Sequence, residues 1–177
     1  MNSFKARPAL GFREAVSMGF KQLLVLNGRS RRSEFWWFML AFIIIDWILS
    51  VILSFAPMIV SVALSCLMGL LLVPITIRRL QDGGHSKWWV IIGWAAALVY
   101  TIDIYTGGLY EALNTVNPNP SEITRLFSDP VLIIAGLTSF FTGIPTFIFC
   151  LLDGKPEPNI YGESPKYDNS GSSIPAE

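Results

Sequence analysis

Long apolar runs alternate with short polar stretches along most of the chain. The runs are FWWFMLAFIIIDWILSVILSFA (35–56), MIVSVALSCLMGLLLVPITI (58–77), WWVIIGWAAALVYTIDIY (88–105) and PVLIIAGLTSFFTGIPTFIFCLL (130–152). Each is close to the roughly 20 residues that an α-helix needs to cross about 30 Å of hydrocarbon. The buried helices of a soluble bundle keep a polar stripe, and these runs have almost none. The pattern therefore predicts an all-α integral membrane protein with four transmembrane helices over residues 35–152.

The flanking pattern is different. Within residues 8–26, Phe12, Val16, Gly19, Phe20 and Leu23 recur at helical spacing, with Arg13, Glu14, Ser17 and Lys21 elsewhere around the wheel. This predicts an amphipathic interfacial helix, begun at Pro8 and lying on the membrane surface. Asn27-Gly28 breaks it before a basic cluster. Segment 1–34 thus reads as an amphipathic and basic preface. The loop 106–129, with NPNPSE, predicts turns and extended chain. Segment 153–177 reads as a polar tail, disordered after residue 165.

Charge orients these segments. The chain has 177 residues, 13 Lys and Arg, 13 Asp and Glu, and no net charge. No global basic field draws in nucleic acid. The cations are segregated instead. Residues 1–34 hold Lys5, Arg7, Arg13, Lys21, Arg29, Arg31 and Arg32. The link between the second and third runs holds Arg78, Arg79 and Lys87, and the tail holds Lys155 and Lys166. Loop 106–129 holds only Arg125. Counting positive charge predicts that both termini are cytoplasmic. No cleavable signal peptide is expected, because the first 34 residues are too polar.

Two stretches with the same order of residue types lie at the predicted cytoplasmic surface: NGRSRRSEFWW (27–37) and ITIRRLQDGGHSKWW (75–89). Trp36, Trp37, Trp88 and Trp89 suit the headgroup level, where an apolar ring and one N–H donor are both accommodated. Arg29, Arg31, Arg32, Arg78 and Arg79 converge there, with Glu34 and Asp82 as the local acids. Guanidinium groups make forked bonds to phosphate or carboxylate. The set is therefore a candidate site for anionic lipid headgroups, or an ion cluster that fixes the helix ends. Gly83-Gly84 permits a tight reversal, and Ser86 is placed to cap the third span.

Asp46 lies about 13 Å beyond Trp37 at 1.5 Å per residue. That is near the bilayer centre, where a carboxylate is costly and Lys or Arg is absent from every run. Ser65, Ser139 and Thr142 lie at similar depth and are its candidate partners.

At these residues the sequence resembles the domain of unknown function 805 family, the YhaH-like bacterial inner-membrane proteins. GRSRRSEFWWF (28–38), RRLQDGGHSKWW (78–89) and GKPEPNIYGESP (154–165) resemble that family's three signatures. Gln81 stands where the family usually has His, and Glu157 where it has Gly. The resemblance implies a small multi-span protein of a bacterial cytoplasmic membrane and implies no activity.

Phosphate loops, dinucleotide fingerprints and nucleophile elbows are missing. No metal or cofactor is expected. His85 has no second histidine, and Cys66 and Cys150 fall within the runs as small apolar residues. The leading expectation is a non-enzymatic protein that organises anionic lipid or a membrane partner. The alternatives are a transporter or channel, assembled as a homo-oligomer around Asp46, and a phospholipid enzyme with Asp82 as base.

Overall fold

The computed structural model describes residues 4–169. In chain order they form β1 (Phe4–Ala6), α1 (Phe12–Lys21), α2 (Arg32–Ile52), a 3-10 turn (Leu53–Phe55), α3 (Met58–Gly83), α4 (Trp88–Thr106), α5 (Leu109–Asn114), α6 (Pro120–Phe127), α7 (Pro130–Leu151) and β2 (Tyr167–Asn169). Four helices, α2, α3, α4 and α7, are long and apolar enough to cross a membrane. They are consecutive antiparallel passes. The start of α2, the end of α3, the start of α4 and the end of α7 therefore share one polar end.

Several boundaries differ from the sequence expectation. Helix α3 continues past the apolar run, which ends at Ile77, through Arg78, Arg79 and Asp82 to Gly83. Its cost is met by bonds described below. Helix α1 starts at Phe12 rather than Pro8, after an extended Gly11. The loop 106–129 is not extended chain, because it folds into α5 and α6. Asn119 caps α6 by accepting the Ser121 N–H, and Pro120 opens the helix. A proline at the first helical position loses no bond, since that N–H has no partner inside the helix. The tail is not wholly disordered either. Tyr167–Asn169 pair antiparallel with Phe4–Ala6, and the Arg7 N–H donates to the Lys166 carbonyl at 2.8 Å. Residues 170–177 lie outside the described residues.

Burial is concentrated at the polar end. Phe35, Ile75, Ile77, Leu80 and Cys150 are buried there. Along the middle of the passes, Ile43, Trp47, Ile48, Ile134, Phe140 and Phe141 face outward. An outward apolar belt suits hydrocarbon as its solvent. Small residues set the closest approaches. A methyl group added at Gly93 of α4 would stand 2.6 Å from the Thr142 hydroxyl of α7, and one at Gly136 would stand 3.2 Å from the Tyr100 ring. Close approach through glycine is a common way for helices to associate in lipid.

Helix α1 docks on α2 rather than lying free. The Phe20 ring meets Phe38 edge-on at 5.3 Å, and Phe12 meets Trp37 at 5.7 Å. Ala15 is fully buried, and Gly19 lies directly against the Phe38 ring, where any side chain would overlap it. Gly19→Val is expected to lift α1 off α2 while leaving the four long helices in place. Faster hydrogen exchange confined to residues 12–21 is the expected result, checked by mass spectrometry.

Candidate functional site

The polar end buries charges inside the protein, away from water, so the chain must satisfy them itself. Asp82, in the last turn of α3, is 1% exposed. One of its carboxylate oxygens accepts Arg29 Nε at 2.8 Å and the other accepts Arg79 Nη1 at 2.7 Å. Arg79 reaches the Asp82 carboxylate because the two are three apart on one helix, where side chains are neighbours. Arg29 arrives from the loop before α2, positioned by Gly28 at φ +141°, a conformation that favours glycine.

Both guanidinium groups also cap helix ends. The last carbonyls of a helix have no partner within it, and a cation there meets the negative end of the helix dipole. Arg79 Nε donates to the Cys150 carbonyl at 3.3 Å, and Nη2 donates to that of Leu152, closing the end of α7. Arg79 Nη1 also donates to the Ser30 carbonyl at 3.2 Å. Arg29 donates to the Asp82 carbonyl at 3.3 Å and to that of Lys155. It further donates to the Glu157 carbonyl at 2.9 Å and that of Gly162 at 3.3 Å. Arg29 thus joins the entry to α2, the end of α3 and the segment after α7.

The remaining carbonyls of α3 are also met. His85 N–H donates to Leu80 at 2.9 Å, and Gly84 N–H, at φ +78°, to Gln81 at 3.1 Å. This pair of bonds is the Schellman closure. The Asn159 side chain donates to the Gln81 carbonyl at 2.9 Å, and Lys155 N–H to that of Asp82 at 3.1 Å. Ser86 Oγ accepts the Trp88 N–H at 3.3 Å at the start of α4.

A second buried pair lies beside the first. Arg78 Nη1 donates to Glu34 at 3.2 Å and also to the Gln22 side chain, with Arg78 and Glu34 each 1% exposed. Residues of all three quoted signatures therefore interlock: Gly28, Arg29 and Glu34; Arg78, Arg79 and Asp82; and Gly154, Asn159 and Gly162. Gly154 is required by contact, since a Cβ there would overlap the Asp82 carboxylate.

The structure divides the arginines. Arg29, Arg78 and Arg79 are inside. Arg31 is 8% exposed, and its Nη2 donates to the Arg7 carbonyl at 3.3 Å. Arg32 is exposed and stands 3.5 Å from Asp153, which also accepts Lys166 Nζ at 2.8 Å. Arg31, Arg32, Ser33, Asp153, Lys166 and Ala9 line a notch of about 200 Å³. It lies at the start of α2, where no side chain caps the helix. Lys166 was visible in the sequence only as a tail charge. Nothing local signalled that β2 would carry it to α2.

The tryptophans also divide. Trp37, Trp88 and Trp89 are exposed at the polar end, whereas Trp36 is half-buried edge-on to Phe147 of α7. His85 stacks on Phe149 at 3.8 Å, and burial, then nearby Lys155 and Arg79, push its pKa down. Asp46 is half-buried. It shares a cleft of about 220 Å³ with Ser65, Phe42, Ile43, Met68, Gly69 and Leu72. Ser139 lines a different cleft, and Thr142 donates within its own helix. Both Asp82 oxygens are taken by guanidinium groups, and the residue is 1% exposed.

Two outcomes follow from this arrangement. Asp82→Ala leaves Arg29 and Arg79 buried without their shared counter-charge, and breaking such a pair costs about 3–5 kcal/mol. A clear fall in Tm in detergent is expected, with a smaller fall for Glu34→Gln. The exposed Asp153–Lys166 pair sets a pH limit. The hydrogen bond from Lys166 comes first in holding the Asp153 carboxyl below its ordinary value of 3.8. A depressed carboxylate contributes stability above its unfolded value and loses it as pH falls through the folded one. Exchange of the Arg7 amide, corrected for intrinsic rate, is expected to quicken only below about pH 4.

Comparison with known proteins places the chain without assigning it a task. No curated protein and no solved structure matches it. A family model, described as "Protein of unknown function (DUF805)", matches residues 23–163, a range that contains the buried ion cluster and nearly all of the segment that closes over it. The chain belongs to the DUF805 family of proteins of unknown function.

Proposed function

We propose that this protein is a non-enzymatic, multi-pass protein of a bacterial cytoplasmic membrane, with both termini inside, that holds an anionic lipid headgroup at its cytoplasmic face. The observation that carries this reading is the notch at the start of α2. Three cations, Arg31, Arg32 and Lys166, surround it against the single acid Asp153. The uncapped N–H groups of α2 add partial positive charge on the same side. The exposed Trp37, Trp88 and Trp89 rings belong to the same end of the bundle and suit headgroup depth.

The buried arginines support this role indirectly. Arg29 and Arg79 spend their donors on the protein, Arg78 gives Nη1 to Glu34 and Gln22, and the three hold the notch in shape. Their removal tests folding, so the binding test uses exposed residues. In liposomes, Arg32→Ala with Lys166→Ala removes roughly 2 kcal/mol of attraction at about 1 kcal/mol per cation, or roughly 30-fold in affinity for anionic lipid. The expected result is loss of co-purifying anionic lipid by native mass spectrometry with an unchanged Tm. Equal lipid retention in the variant and the wild type would remove the notch from the function.

The Asp46–Ser65 cleft favours a second reading, a proton or cation path completed by assembly of several copies. An acid facing a cleft within an apolar pass is the usual mark of such a path. Proton flux into liposomes that survives Asp46→Asn would end it.

A further inference from the structure

The buried charges at the polar end do not balance. Arg29, Arg78 and Arg79 are at most 8% exposed, as is Arg31, and the acids buried among them are Glu34 and Asp82. Arg29 and Arg79 share Asp82, while Arg78 meets Glu34 through Nη1 alone. The side-on fork of Arg78, Nε and Nη2, is buried with no hydrogen-bond partner. The Nε2 amide group of Gln81, a fully buried residue, has none either. A buried donor left unpaired costs about 1–3 kcal/mol, and more when it is charged.

These donors belong to one place. Gln81 Oε1 accepts the Gly28 N–H at 3.2 Å, and a methyl at Gly28 would stand 3.6 Å from Arg78 Cδ. Gly28 therefore lies against both side chains, which are three apart on α3 and so are neighbours. The requirement is for an acceptor that is small, buried and negatively charged.

We propose that the Arg78 fork and the Gln81 amide bind one small monovalent inorganic anion of halide size. Such an ion brings Arg29, Arg78 and Arg79 into balance with Glu34, Asp82 and itself, and leaves Arg31 as a cation that lines the headgroup notch. Arg78 and Gln81 are at most 1% exposed, which separates this site from the headgroup notch beside the exposed Arg32.

The test measures Tm of the full chain in detergent, with sodium chloride or bromide replacing sodium gluconate at fixed ionic strength. The wild type is expected to gain Tm with halide along a saturating, single-site curve. Gln81→Glu supplies the negative charge from the protein and is expected to lose the halide dependence. Gln81→Met, similar in shape but lacking the amide, is expected to shift the curve to higher halide concentration. A wild-type Tm that does not depend on halide would mean that an ordered water fills the space, and would overturn the proposal. A non-saturating dependence, or the same curve in Gln81→Glu, would mean a surface salt effect and would also overturn it. If neither variant folds, the form of the wild-type curve alone decides.

Discussion

The carboxylate of Asp82, held between the Arg29 and Arg79 guanidinium groups, is the constraint on which the polar end depends. A lone carboxylate at that depth would lose several kcal/mol of hydration. Two cations offset the loss, and each cation then has donors to spare. Those donors go to carbonyls at the ends of α3 and α7 that have no partner within their own helix. One desolvated charge thus fixes three chain segments, and the geometry of each follows from bonds it must make.

Much of this architecture was legible in the sequence, for a physical reason. A bilayer sets a minimum apolar length, so the four passes appear as runs and their ends fall within a few residues of the structure. The convergence of Arg29, Glu34, Arg78, Arg79 and Asp82 on one end also follows from counting passes. What sequence could not show was which arginines would be covered. Arg31 and Arg32 are neighbours, yet one is turned inward and the other outward by the start of α2. The covering segment was harder still. Residues 154–162 contain Gly, Pro and Asn and read as loop, but Asn159 and the Glu157 and Gly162 carbonyls are partners for α3 and Arg29. Their role depends on contacts across 78 to 133 residues. The helix at Pro120 was signalled by Asn119-Pro120, but the neighbouring prolines gave equal weight to extended chain.

The two ends of the bundle obey different rules. At the polar end, specificity comes from directional bonds among buried charged groups. Between the passes it comes from small residues at Gly93 and Gly136 and from rings facing outward. The clefts beside Gly69 lie in that second region.

The covering segment also bears on how the protein is made. Arg29 and Arg79 emerge from the ribosome well before the carbonyls of Cys150, Leu152, Lys155, Glu157 and Gly162 that they need. During synthesis the inserted passes therefore carry cations with unfilled donors, and the N-terminal part has no closed state of its own. The polar end closes only once residues 150–162 have been made. In this protein the groups that close the polar end are made long after the charges they close over.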